Sequence, residues 1–396
     1  MSTKLSKTTK DVKRLLLYFG FFVFFVLFTT WIGGLTNPDK PSPPEAGQLE
    51  RKDFPPADTL FGQIQIPVIQ SLTIDPTSKA IISKSITPFA QLPPVAKVYP
   101  LKPEREYSGD ADTARLAAKL LNFTSEETKV INNIMYWETP EKNRVFSYDK
   151  AQSLWDFHYN IYPQTTTAGF IPNISEYPGM VTAIAPKLGI NTNLFLSESN
   201  RVDLVNVGQD GQMTTVTSNP NFARVTLFKR VSLSKPLASK NPELYTDVRR
   251  YHASSGIIEA LVQGDGKDVN LGLWQFRYKQ YTYDNPSYYY LITPLEAYSR
   301  IQTQKTAFLY QMTLDNSNYF SDAVGLNVDE FTLNVDKTTI VYLEPDSRTN
   351  EQPWTNYLQP FYYFTGTFVT KDQQKGTCTF IVPALVDESY RSKTTP

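Results

Sequence analysis

The sequence predicts an α+β protein, with an N-terminal transmembrane helix followed by strand-rich extracytoplasmic modules, each of a helix plus an antiparallel sheet. Three observations predict it. Residues 15–38 carry no charge, and 15–32 (LLLYFGFFVFFVLFTTWI) is almost wholly apolar. A proline-rich stretch follows. Beyond it, short alternating runs rich in Tyr, Phe and Val recur, broken by only three helical patterns, in a chain that is 13% aromatic with 24 tyrosines. With 396 residues there is chain enough for two or three domains.

The first elements follow from charge and length. Residues 1–14 form a basic tail, in which Lys4, Lys7, Lys10, Lys13 and Arg14 face one acid, Asp11. Residues 15–35 suffice for a membrane-spanning helix, since 21 residues at about 1.5 Å each reach roughly 31 Å. The positive-inside rule keeps the tail cytoplasmic and sends the rest out. A cleaved signal peptide begins the same way, but its apolar region runs to about 7–15 residues, so the longer run favours an uncleaved anchor. Residues 36–60 read as a stalk. The stretch 37–56 has six prolines and seven charged residues, too little apolar surface to offset the entropy of ordering it.

Three modules follow, at 61–170, 171–250 and 251–390. In the first, 61–72 suits edge strands, and a helix over 111–121 places Leu116, Ala117, Leu120 and Leu121 on one face behind Asp110 as cap. Strands at 130–137, 145–148 and 153–162 come next, with a turn at Thr139-Pro140-Glu141-Lys142-Asn143. In the third, Trp155, Phe157, Tyr159 and Ile161 alternate with Asp156, His158 and Asn160, one face apolar and one wet. The second module repeats this order: a helix at 175–188, then strands near 202–207, 213–216 and 222–231, with Gln209-Asp210-Gly211 as hairpin turn. Ala117-Ala118-Lys119-Leu120 corresponds to Ala185-Pro186-Lys187-Leu188, 68 residues on, which together with the shared order suggests a repeat.

The last module opens with strands at 256–262 and 270–281, then has the best helix start in the chain. Thr293 caps, Pro294 fills the first helical position, and Glu296 stands at capping-box spacing. Strands at 306–312, 330–335, 338–344, 361–370 and 376–383 complete it. The runs GIIEALVQGDG, LWQFRYKQYTYDNPSYYYLITPLEAYSRIQ, TTIVYLEP, NYLQPFYYFTGTF and TCTFIVPAL resemble the C-terminal region of membrane-anchored bacterial proteins of the YycI and YycH type. The resemblance covers about 257–385. It implies PepSY-like α+β modules outside the cell and modulation of a sensor histidine kinase. The long aromatic insert 281–290 and the extra N-terminal module depart from that pattern.

Composition narrows the chemistry. Lys plus Arg and Asp plus Glu are both 39, so a phosphate backbone finds no global attraction and nucleic acid is excluded as partner. One cysteine, Cys378, rules out an intrachain disulfide or a cysteine zinc site; alternating with Phe380 and Val382, it reads as a small buried hydrophobe. His158 lies on a wet strand face and His252 in a loop or at a strand entry, leaving nucleophilic catalysis without a base. Asp329, Glu330, Asp336, Glu344 and Asp346 cluster in sequence, as acids at strand ends do, and do not make a glycosidase pair by themselves. No catalytic, cofactor or metal residues are predicted. Tyr281, Tyr283, Tyr288, Tyr289 and Tyr290 are the candidate partner surface, because tyrosine offers broad amphipathic contact at low entropic cost. The predicted protein is a non-enzymatic, single-pass binding or regulatory module. It contacts the lipid bilayer and a membrane or envelope protein; an envelope glycan binder or hydrolase is the alternative.

Overall fold

Alternation of apolar and polar side chains governs far more of the chain than helical periodicity does, and the computed structural model is accordingly dominated by strands. It describes residues 49–390 except 68, 70, 104–109, 125, 151–152, 161, 163–173, 189, 191–194, 196–198, 239–240, 264–271, 280, 316–321 and 346–356. Strands β1 (Ile81–Lys84), β2 (Val95–Pro100) and β3 (Lys102–Pro103) precede helix α1 (Asp110–Leu120). After it come β4 (Lys129–Ile131), β5 (Ile134–Glu138), β6 (Arg144–Asp149) and β7 (Leu154–Tyr159), then helix α2 (Tyr177–Ile184). The next strands are β8 (Arg201–Val207), β9 (Met213–Thr215), β10 (Phe222–Leu227), β11 (Lys229–Ser234), β12 (Leu244–Arg250), β13 (Ile258–Val262), β14 (Leu273–Lys279), β15 (Tyr281–Thr282) and β16 (Ser287–Tyr290). Helix α3 (Pro294–Gln302) leads to β17 (Phe308–Leu314), β18 (Val328–Leu333), β19 (Thr339–Glu344), β20 (Tyr357–Thr370) and β21 (Lys375–Pro383).

Two large sheets result. The first has nine strands in the order β4-β5-β6-β7-β14-β13-β10-β8-β9. Register aligns one apolar row across it, Trp137, Phe146, Phe157, Phe276, Ala260, Val225 and Val202. The row beside it on the opposite face is polar: Tyr136, Ser147, Asp156, Arg277, Glu259, Thr226 and Arg201. Successive side chains point to opposite faces, so this division follows from register alone. Ala114, Ala117 and Ala118 of α1 and Val181 and Ile184 of α2 join the apolar row in one core cluster. After α1 the strands β4, β5, β6 and β7 run in order from one sheet edge inward, whereas after α2 the chain enters at β8, turns out to the edge strand β9 and returns at β10. Helix α1 contacts the turn 185–188 that follows α2.

The second sheet has ten strands along the path β1-β18-β20-β19-β12-β11, with β2, β16, β17 and β21 attached off it. The 14-residue β20 is its spine, pairing with β18, β19, β21 and β2. Pro360 lies inside this strand, not at its start as the sequence suggested. It falls between the β2 pairing, at Tyr357 and Leu358, and the β21 pairing, which begins at Phe361, where a missing amide donor does least harm. Gly366 is required by close approach: a Cβ there would stand 2.3 Å from the Thr332 carbonyl oxygen.

Helix α3 begins as its sequence indicates. Thr293 is its N-cap and accepts from the Glu296 amide at 3.1 Å, while Ala297, Tyr298 and Ile301 are buried. Glu296 does not return to Thr293; its carboxylate pairs with Arg300 one turn on, at 2.9 Å. Cys378, Phe380 and Val382 are buried as expected.

Several expectations need correction. The α+β architecture of helix-plus-sheet modules behind a transmembrane helix gives way to a β-dominated body of two large sheets with three short α-helices among the described residues, of 11, 8 and 9 residues. Strand pairing, settled by long-range register, mixes the three modules: the nine-stranded sheet takes strands from 129–159, 201–227 and 258–279, while β11 and β12 leave it for the other sheet. The tail and span at 1–35 lie outside the described residues. Among those described, no helix is long and apolar enough to cross a membrane. The stretch 130–137 is a hairpin, not one strand, because Asn132 and Asn133 adopt positive φ of 50° and 68°. The described part of the stalk, 49–60, is fastened to the body. Phe54 is buried, the Leu237 amide donates to the Asp53 carbonyl at 2.8 Å, and the Asp58 and Thr59 amides donate to the Tyr288 carbonyl at 3.1 and 3.2 Å. The strand pairings and backbone hydrogen bonds that leave 49–103 among the described residues reach residue 237 or beyond.

Candidate functional site

The tyrosine segment is the sequence-predicted surface, and alternation divides it. Tyr289 is 0% exposed and Tyr281 5%, whereas Tyr283, Tyr288 and Tyr290 are half-buried. Burial pushes the Tyr281 and Tyr289 phenols up. The platform is largely spent within the chain: the Tyr289 hydroxyl donates to the Gly62 carbonyl at 2.9 Å, and the Arg51 guanidinium lies 3.5 Å from the Tyr290 ring centre. Lys97 stands 5.9 Å from the Tyr288 ring and Lys229 5.0 Å from that of Tyr283. The expected open platform is therefore corrected for Tyr281 and Tyr289, whose side chains face the core. The segment serves to hold 49–62 in place.

Beside Tyr288 sits a polar cluster with a superficially catalytic look. Lys97 Nζ lies 2.5 Å from Ser232 Oγ and 2.7 Å from Glu243 Oε1, and Ser232 also donates to that carboxylate. A serine–lysine pair acts in acyl transfer only when the lysine is a neutral base. Here the Lys97 and Ser232 hydrogen bonds hold the Glu243 carboxyl down at about 2, so Lys97 and Ser232 are both engaged by one carboxylate instead of by each other alone. The cluster fastens β2 to β11 and to the approach to β12.

A different surface has the shape of a site. On the ten-stranded sheet, Val231, Val248, Ile340, Tyr342, Tyr362 and Phe364 point into the core. Alternation therefore turns Arg230, Asp247, Arg249, Thr339, Tyr363 and Thr365 outward. Register sets Arg230 opposite Asp247 and Thr339 opposite Tyr363. Together with Tyr245, with Lys337 from the turn before β19, and with Ser199, these side chains line a groove of about 360 Å³.

Its electrostatics are one-sided. Arg230, Arg249 and Lys337 line it, and Asp247 is the only carboxylate among the lining residues. The Arg249 guanidinium carbon sits 4.9 Å from the ring centres of both Phe228 and Tyr363, a cation–π clasp. Its Nη2 is 3.9 Å from Asp247 Oδ2, longer than a hydrogen bond. Arg230 stands 5.9 Å from the Tyr245 ring. The Tyr245 hydroxyl donates to Glu243 Oε2 at 3.1 Å, which orients its ring at the lip. Sequence reading passed over these residues. Arg230 and Arg249 are 19 positions apart and only the β11–β12 hairpin unites them; the signal present was alternation in KRVSLS and LYTDVRR.

The other singled-out residues do not assemble into chemistry. His158 is 34% exposed, with Nδ1 3.7 Å from Asp156 Oδ1, and Asp156 pairs with Arg277 at 2.9 Å. Glu344 is fully buried against Arg250 at 2.7 Å, and Glu330 accepts from Ser83 at 2.7 Å. Asp346 lies outside the described residues. Among the described residues no group of three or more His, Cys, Asp or Glu is placed to hold a metal ion. A second recess of about 250 Å³ lies between Ile301 and Leu72, Ile82, Leu309, Phe331 and Phe380, with Ser71 and Gln304 also lining it. The chain matches no family model and no curated protein.

Proposed function

We propose that this is a single-pass, membrane-anchored binding protein that acts outside the membrane on an envelope component, and that it is not an enzyme. The observation that carries the reading is the groove on the ten-stranded sheet, with three cations facing one carboxylate between tyrosine rings. Such a surface holds a ligand. It does not present the nucleophile and base that bond cleavage needs. The uncharged run 15–35 behind five basic residues supports the anchor and the outward orientation. Modulation of a sensor kinase is the finer form of this proposal and rests on the resemblance of 257–385 alone. Of the two envelope partners, the aromatic walls of the groove favour a glycan over a protein surface.

Photo-cross-linking tests the reading in envelope membranes carrying the full-length protein. A photoreactive residue at Ser199, on the groove lip, is expected to capture an envelope component. The same residue at Val130, which is exposed on the other sheet, is expected to capture none. Equal capture from both positions, or none from Ser199, refutes the groove as the binding surface. External protease is expected to cleave the mass beyond the anchor in intact cells, and full protection reverses the orientation.

A further inference from the structure

We propose that the groove binds an acidic sugar unit, a monosaccharide carrying a phosphate or carboxylate, as the recognised part of an envelope glycan. This rests on the reading of the groove as the binding surface and names its ligand class. The argument begins with charge. Arg230 and Lys337 form no ion pair among the described residues, and Arg249 is held between two rings with its guanidinium edge toward the groove residue Asp247. An arginine fork matches a carboxylate or phosphate with two parallel hydrogen bonds, and a lysine adds a point charge. Arg230 and Lys337 are thus two groove cations with no ion pair among the described residues, and one anionic group on a ligand complements them.

Shape and lining choose between anionic ligands. The floor is the middle of a sheet, where β12, β19 and β20 already pair with each other, so an extended acidic peptide finds no backbone donors or acceptors to add to. What the walls offer is ring faces, from Tyr245 and Tyr363, and hydroxyls, from Thr339, Thr365 and Ser199. Ring faces suit the apolar C–H face of a pyranose and hydroxyls suit its rim. A volume of about 360 Å³ is at the small end of ligand pockets, the scale of one sugar ring with its acid group.

Calorimetric titration of the full-length protein in uncharged micelles tests this with glucose 6-phosphate, glucuronate, glucose, inorganic phosphate and tetraglutamate as probes. Saturable binding of glucose 6-phosphate and glucuronate is expected, with glucose and inorganic phosphate each at least about tenfold weaker. Arg230→Ala and Lys337→Ala are each expected to weaken the acidic sugars by about tenfold with an unchanged urea midpoint. Tyr245→Leu is expected to weaken the sugars and leave inorganic phosphate unaffected. Phosphate binding as tightly as glucose 6-phosphate marks a bare anion site and overturns the sugar assignment. Tighter tetraglutamate, equal affinity for glucose, or no binding of any acidic sugar overturns it too. Photo-capture from Ser199 combined with no acidic-sugar binding sinks this inference and leaves the proposed function standing; loss of both sinks both.

Discussion

Arg250 lies where β12 of the ten-stranded sheet hands the chain back to the nine-stranded sheet, and its removal is the most informative perturbation of the fold. Both Arg250 and Glu344 have 0% side-chain exposure, at 2.7 Å. The guanidinium also donates to the carbonyls of Pro345 at 2.8 Å, Gly256 at 3.2 Å, and Ile257 and Lys279 at 3.4 Å. Arg250→Met keeps much of the volume and strands the Glu344 carboxylate in an apolar interior, which costs about 3–5 kcal/mol. The charge-assisted bond to Pro345 adds about 1–2 kcal/mol once non-additivity within one network is allowed for. The sum, about 4–7 kcal/mol, approaches the whole stability of a small domain, roughly 5–15 kcal/mol. Adding Glu344→Leu removes the stranded charge, so the double variant is expected to recover at least about 2 kcal/mol of that loss. Urea melts followed by the fluorescence of Trp137 and Trp155 measure both. A loss below about 1 kcal/mol for Arg250→Met, or a double variant less stable than the single one, refutes the account of a stranded charge.

Four further outcomes follow from named contacts. Tyr289→Ala is expected to cost about 3–5 kcal/mol through cavity formation, because Tyr289 is fully buried, with Tyr288→Ala well under half of that in the same urea melts. In α3, Ile301→Ala is expected to cost about 2–5 kcal/mol and Thr293→Ala about 0.5–2 kcal/mol; the reverse ranking by urea midpoint contradicts the docking of that helix. Glu243 has its carboxyl depressed from 4.5 to about 2, so its ion pair contributes fully above about pH 4.5 and is lost as pH falls toward 2. With the side chain 28% exposed, that contribution is about 1–3 kcal/mol, and Glu243→Gln is expected to flatten the stability profile in this window. Burial pushes the Cys378 thiol up to about 12, so a thiol reagent at pH 8 is expected to label it only after urea unfolding.

Local features were legible because they depend on neighbours in sequence. Thr293, Pro294 and the buried Ala297 and Ile301 specify α3 within one turn or two, and the alternation of Trp155 and Phe157 with Asp156 and His158 specifies β7. The partition of strands between sheets was not legible, because β10 and β11 are separated only by Phe228 yet join different sheets. Nothing in their composition records the partners, Ile258–Val262 for one and Leu244–Arg250 for the other. The tyrosine segment misled for a related reason. SYYY reads as an exposed platform until Arg51, Asp58 and Gly62, more than two hundred residues earlier, are seen to cover it. The groove failed to show itself because a site made of outward residues from four separate strands, joined only by register, has no local motif.

The hydrogen bonds of 49–103 carry a consequence for biogenesis. This stretch is made first and has nothing to hold: β1 waits for β18, β2 for β16 and β20, and Ile64 for Tyr390. At about 5–20 residues per second, the ribosome needs some 15–60 seconds to pass from residue 103 to residue 390. Until β16 emerges at residue 290, β2, with its apolar Val95, Ala96 and Val98, is an unpaired strand in an emerging chain. Holding factors therefore have a defined target and a defined window. A stop codon anywhere before β16 leaves β2 permanently open, so truncated products are expected to aggregate through their own beginnings.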